Sequence, residues 1–338
     1  MKIEIITSLN GDLKETGFGS QLACLNVVES IKKLGHTAIL SVCSSLNDLD
    51  NVANRKPDLV VLAAKYMPVV NGNDIWFSDY FAKQNIIFSG SNRETLKYDS
   101  DKALAKLCLS HAGINTAKYF MAVPGQYSRE SELPFSFPLF LKPIDAANGN
   151  GVDDLSFVQS FSEFNAKVLS LYELYQLPIL VEEYLSGREF TVAVIENDLG
   201  QLFTSAIEII PPESTGGLRI LGAEVKKFDT ETLKKIQINE LKNIIDLATE
   251  SFIALGARGF GRIDIKMDGD GKCYFMEANL IPGMNFGSSY FPQACKMANA
   301  MSYDKVISLM LVECLSRVIP QKIFTYPYST ENYSQPLH

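Results

Sequence analysis

Three residues in the stretch from Gly259 to Asn279, with an arginine beside them, have the types and the spacing to hold a cation. Asp270-Gly271 is the signal for a two-residue hairpin loop. A hairpin closed by that dipeptide puts Asp264 opposite Glu277 and Arg262 opposite Asn279, all on one face. Its other face then carries Ile263, Ile265, Met267, Tyr274, Met276 and Ala278, an apolar layer for a core. Two carboxylates directly across a strand pair repel unless something positive lies between them. Together with the Asn279 carbonyl they form a hard-oxygen set suited to Mg²⁺, an ion that keeps waters and completes its shell with substrate phosphates. The competing reading is a solvated hairpin face on which Arg262 simply neutralises Asp264.

Phosphate chemistry has a second candidate. Lys142 ends an apolar strand and is followed by Asn148-Gly149-Asn150-Gly151, whose backbone N–H groups could cradle phosphate. An ordinary turn would have the same composition. No G-x-x-x-x-G-K-[ST], G-x-G-x-x-G or G-x-S-x-G occurs, which excludes a Walker loop, a Rossmann fingerprint and a hydrolase elbow. The run Val181-Glu182-Glu183-Tyr184-Leu185 leads into Ser186-Gly187-Arg188-Glu189 and places acids where an adenine amino group and ribose hydroxyls could bind. Solvated charges at a strand end would look the same.

Distant elements must bring these groups together. Residues 2–7 read as a buried strand, 20–34 as an amphipathic helix closing at Gly35, and 37–42 and 58–63 as apolar strands. Strand 86–88 completes a parallel, doubly wound α/β sheet in a first domain, 1–95. A helix over 99–113, a strand over 137–142, a helix near 160–175 and a strand over 179–184 form a small central lobe, 96–185. Strands near 190–195 and 202–209, a loop with Gly216-Gly217, a long helix near 230–255 and the hairpin form a third lobe, 186–318, with an irregular tail over 319–338.

The 338 residues, 46% hydrophobic and 21% charged, describe a folded chain of about two compact units. A net charge of −8 repels phosphate backbones and anionic lipid, so nucleic acid and membrane surfaces are not expected partners. Apolar runs such as 59–64 fall far short of the roughly 18 residues a membrane span needs, and the first residues lack a secretory signal, which predicts a cytoplasmic protein. The six cysteines form no C-x-x-C pair and read as reduced core residues. With only His36, His111 and His338 present, histidine catalysis has almost nothing to use.

Taken in order, Lys142, Glu182 to Glu189, Arg262-Ile263-Asp264, Glu277-Ala278-Asn279 and Pro282-Gly283-Met284 resemble the ATP-grasp superfamily, specifically its D-alanine:D-alanine ligase group. The resemblance covers residues 85–318 most closely. It implies a three-lobed fold, with a parallel first lobe, a central α+β lobe and a C-terminal lobe built on an antiparallel sheet. It also implies that Lys102 and Lys142 contact ATP phosphates beside the Asn148-Gly149 loop, Glu182 the adenine amino group, Glu183 and Leu185 the ring through their backbones, and Glu189 the ribose. Asp264, Glu277 and Asn279 would hold two Mg²⁺, with Mn²⁺ as a substitute. Lys227, or alternatively Lys226, would reach the γ-phosphate from a lid over 216–228. Arg262 would stabilise the oxyanion, while Glu15, Gly283 and Ser289 would bind small amino-acid-like substrates. A homodimer is implied as well.

The implied reaction is attack of a carboxylate on the γ-phosphate, giving an acylphosphate and ADP, then displacement of phosphate by an amine. The chain departs from the group's pattern at Lys65-Tyr66, where a His-Gly pair is usual. It departs again at Asn148-Gly149-Asn150-Gly151 in place of a serine-rich loop, at Lys227-Phe228 in place of Lys-Tyr, and by one inserted residue before Ser289. These departures favour a product other than D-alanyl-D-alanine. The alternatives are the cell-wall reaction itself, a carboxylation of another acceptor, and a nucleotide-binding protein without turnover.

Overall fold

The computed structural model describes residues 1–8, 17–69, 72–146, 149–214 and 216–318. In the first sheet β1 (Lys2–Thr7) lies between β2 (Thr37–Val42) and β3 (Leu59–Leu62), all parallel. Ile3, Ile5 and Ile6 are buried with Leu59–Leu62, as apolar runs in a sheet covered on both faces require. Helix α1 (Gln21–Lys33) starts where the Ser20 hydroxyl accepts from Ala23 N and ends before Gly35, whose φ of +87° suits only glycine. A further helix, α2 (Leu46–Asn54), is set by a capping box between Ser45 and Asp48. The strand expected at 86–88 reduces to a single parallel bridge from Phe88 to Val60.

A short ribbon, β4 (Tyr66–Met67) with β5 (Ile75–Trp76), leads through α3 (Phe77–Lys83) to two helices where one was expected. The α4 helix (Arg93–Ser100) stops at Asp101, which leaves helical geometry and caps α5 (Lys102–His111) by accepting from Leu104 N. The central sheet has the order β6 (Tyr119–Ala122), β9 (Ile179–Glu183), β7 (Leu139–Pro143), β8 (Phe157–Val158), backed by α6 (Phe161–Tyr175). Its core, including Leu139, Leu141, Phe164, Val168 and Val181, forms a cluster of its own.

The last sheet is antiparallel, in the order β12 (Thr232–Lys235), β11 (Leu202–Ile210), β10 (Glu189–Glu196), β13 (Phe260–Met267), β14 (Cys273–Asn279). Residues 232–235 were expected to be helical. They instead extend the sheet by pairing with Ile207–Ile210, and the helix α8 begins only at Ile238, running to Ala254. The short helix α7 (Ala223–Phe228) precedes them, and α9 (Tyr290–Asn299) and α10 (Tyr303–Val318) close the lobe. The larger core joins first and last sheets, with Ile5 and Leu62 in one cluster with Phe190, Phe260 and Ile263, and α5 adds Ala105 and Leu109 to it. No helix among the described residues is long and apolar enough to cross a membrane.

Candidate active site

The β13–β14 hairpin pairs Arg262 with Asn279 and Asp264 with Glu277, as the spacing predicts, but by a different route. The loop is Gly269-Asp270-Gly271, closed by a bond from Asp268 N to Lys272 O of 3.0 Å, with Gly271 at φ +83°. One residue is lost to this longer loop and one is regained at a bulge after Asp264, beyond which Ile265 faces Phe275. The two shifts cancel from Asp264 back to Arg262, and only the pairs between the bulge and the loop are displaced. Phe275 and Cys273 therefore turn to the core, correcting the expected layer, and Met276 turns into a cavity beside Glu277.

Asp264 accepts from Arg262 Nε and Nη2, both at 2.9 Å, and from Thr191 Oγ1 at 2.7 Å, with Asn279 Nδ2 at 3.3 Å. Glu277 lies 3.5 Å from Lys102 Nζ. Burial, opposed by Arg262 but joined by Glu277, pushes the Asp264 carboxyl up. Burial also works to raise Glu277, but Lys102, Lys226, Lys142 and Arg262 outweigh it and hold that carboxyl well down. Two facing carboxylates and an amide oxygen, on one rigid hairpin, fit a hard divalent cation.

Glu182, expected at the adenine amino group, lies on the wall of the smaller cavity described below with its carboxylate between two lysines. Its carboxylate is 2% exposed and lies 2.6 Å from Lys106 Nζ and 2.8 Å from Lys142 Nζ. Burial would raise it, yet the two ammonium groups outweigh burial and hold it below the ordinary carboxylate range. Its evident work in the structure is to aim Lys142. Glu183 accepts from Lys118 N at 2.8 Å, and Glu189 pairs with Lys266 at 3.1 Å.

Two cavities adjoin at this place. The smaller, about 90 Å³, is lined by Lys142, Gly149, Glu182, Glu183, Leu185, Glu189 and Asp264. The larger, about 680 Å³, is lined by Arg262, Asn279, Gly283, Ser289 and Lys227. Lys102, Lys226 and Glu277 line both. Every expected site residue within the described chain is therefore gathered in one of two connected spaces, while Glu15 and Asn148 lie outside the described residues.

A family model described as "D-ala D-ala ligase C-terminus" matches residues 108–312. The chain belongs to the D-Ala-D-Ala ligase family. It is 24% identical to a D-alanine-D-alanine ligase of Geobacillus kaustophilus over 90% of this chain and 84% of that one. To the Aquifex aeolicus enzyme of the same name it is 26% identical, over 84% and 92%. Its fold matches a Bacillus anthracis D-alanine-D-alanine ligase complexed with ATP, with TM-score 0.71, 21% identity, and coverage of 94% of this chain and 98% of that one. It also matches the Enterococcus faecalis VanG D-Ala:D-Ser ligase, with TM-score 0.68, 21% identity, and coverage of 93% and 99%. Membership makes the chain an ATP-dependent ligase of the ATP-grasp fold, forming ADP and phosphate.

Within this family member the segment expected as a lid, 216–228, contains the short helix α7, which borders both cavities. Of its two lysines, Lys226 lines both spaces and bears on Asp264 and Glu277, whereas Lys227 Nζ lies 5.2 Å over the exposed Phe228 ring. The geometry thus favours Lys226, the alternative reading. The lid seats on the glycine turn through its main chain: Ala223 N donates to Val152 O at 3.2 Å, and a Cβ on Gly222 would lie 2.5 Å from that same oxygen. Gly222→Ala is expected to prop the lid open and lower kcat/KM for ADP release about tenfold while leaving the melting temperature nearly unchanged, as steady-state rates and calorimetry would read.

Several ligase residues escaped the sequence reading. Lys106 had a signal: it lies four residues after Lys102 on the face of α5 that buries Ala105 and Leu109. Thr191, Lys266 and Tyr290 had none, since their places depend on strand register and on the packing of α9. Lys65 Nζ lies 2.8 Å from Asp99, whose other oxygen accepts from Leu280 N and Ile281 N, which ties the end of the first sheet to the substrate loop.

Proposed function

We propose that the chain uses ATP to join the carboxylate of one amino acid to the amine of a second. The observation that carries this reading is the junction of the two cavities at Lys102, Lys226 and Glu277. A nucleotide in the smaller space would present its terminal phosphate to an acid in the larger. Glu183 and Leu185 would meet the purine through their main chains and Glu189 the ribose. Lys142, aimed by Glu182, would neutralise phosphate charge together with Lys102 and Lys226. Asp264, Glu277 and Asn279 would hold two Mg²⁺, which when bound offset charge on the transferring phosphoryl group.

In the larger space Arg262 faces the oxyanion formed as the amine adds to the acylphosphate; two of its N–H groups are used on Asp264 and the rest remain for that purpose. Glu15 would take the first ammonium and Ser289, against Gly283, the second carboxylate. The seated lid would keep water from the acylphosphate. A homodimer belongs to the same reading.

The buried Lys65 ammonium on the wall of the larger cavity favours a product other than D-alanyl-D-alanine. The test is Mg²⁺-dependent release of ADP and phosphate with single and paired D- and L-amino acids, hydroxy acids and bicarbonate. Release with D-alanine alone assigns the cell-wall reaction. Release only with another pair assigns an altered substrate, and silence across the panel overturns the catalytic reading.

A further inference from the structure

The lid is held at both ends, and its second attachment is made by side chains. Helix α7 ends at Asp229, whose φ of +48° turns the chain back, and Glu231 follows two residues later. One oxygen of Glu231 accepts from Tyr290 Oη at 2.5 Å; the other is buried without a hydrogen-bond partner. Tyr290 is 8% exposed, opens α9 directly after Ser289, and lines the larger cavity. The Arg262 guanidinium lies over its ring, 5.5 Å from the centroid. One side chain therefore touches the exit of the lid with its hydroxyl and the guanidinium on the cavity floor with its ring.

We infer that Tyr290 and Glu231 form a latch that couples closure of the lid to the placement of Arg262. The physical basis is shared restraint. A hydrogen bond to a carboxylate is among the stronger neutral-to-charged contacts, and this one is partly buried. While it holds, the lid exit and the ring beneath Arg262 are fixed relative to one another. When it opens, the lid is left with its main-chain seat on the glycine turn and Arg262 with a ring free to shift. Tyr290 is thus a positioning residue, and its loss should let water reach the acylphosphate before the amine does.

The inference rests on the ligase reading, and its test separates the two. Tyr290→Phe keeps the ring and removes only the hydroxyl. In steady-state assays it is expected to raise the ratio of ADP formed to product formed at least about twofold and to lower kcat more than it changes KM for ATP. Glu231→Ala should do the same, while Glu231→Gln, whose amide oxygen still accepts a hydrogen bond, should restore coupling. An unchanged ratio in Tyr290→Phe, or Glu231→Gln falling with Glu231→Ala, would overturn the latch. Amide hydrogen exchange over residues 223–228 with Mg²⁺ and ATP reads the same contact without turnover. Faster exchange in Tyr290→Phe supports the latch even if no amino acid proves to be a substrate, and identical exchange refutes it.

Discussion

Asp264→Asn is expected to lower the rate of ADP release by about a hundredfold or more, with the chain still folded. The substitution preserves shape and leaves one oxygen for Thr191, which donates to it at 2.7 Å. It does not preserve charge. Arg262 Nε and Nη2 now each donate to an Asp264 oxygen at 2.9 Å, and an amide offers N–H groups where one of those acceptors stood. The guanidinium would swing toward Glu277 and away from the developing oxyanion, and the hard-oxygen set would keep a single carboxylate. A coupled assay for ADP beside a melting curve distinguishes lost chemistry from lost folding; ADP release at the parental rate would remove Asp264 from the reaction.

The second large effect is on stability. Glu182→Ala is expected to cost about 3–5 kcal/mol, because it leaves two ammonium groups facing each other in the interior without their counter-charge. Lys106 has no exposed side-chain surface at all. Lys106→Met should cost much less, since Glu182 would keep Lys142 at 2.8 Å. Combining the two changes should recover part of the loss from Glu182→Ala, a double-mutant cycle readable by urea unfolding. The pair also has a pH signature. With the folded Glu182 held below its ordinary value of 4.5, its contribution is fully present above that pH and is lost as the pH falls below it. Equal destabilisation by Glu182→Ala and Lys106→Met would show that the buried charges do not act as a set.

The legible part of the site was the part written in strand periodicity. Asp264 and Glu277 could be placed face to face because a two-residue repeat propagates register over a short hairpin, and it did so even though loop and bulge were each misread by one. The same errors went uncorrected past Ile265, where Phe275 and Cys273 replaced Met276 and Tyr274 in the core. Boundaries set by a single side chain were harder. Asp101 breaks what reads as one helix, and Thr232–Lys235 becomes a strand only because the edge of β11 is there to receive it. Least legible were groups whose meaning depends on a partner far along the chain: nothing near Glu182 in the sequence announces Lys106, on another element, against its carboxylate.

The central sheet keeps its own small core, with nine buried apolar side chains among the described residues, separate from the cluster that joins the first and last sheets. Separate cores need not melt together, and the smaller has less reserve. That small core carries Lys142 and Glu182, so a nucleotide bound there would stabilise the weaker unit first, by about 2.7 kcal/mol at a hundredfold excess over Kd. Calorimetry without nucleotide should show an early, separate transition that merges with the main one when Mg²⁺ and ATP are added. For the central lobe, a bound nucleotide would act as a missing piece of its interior as much as a reactant.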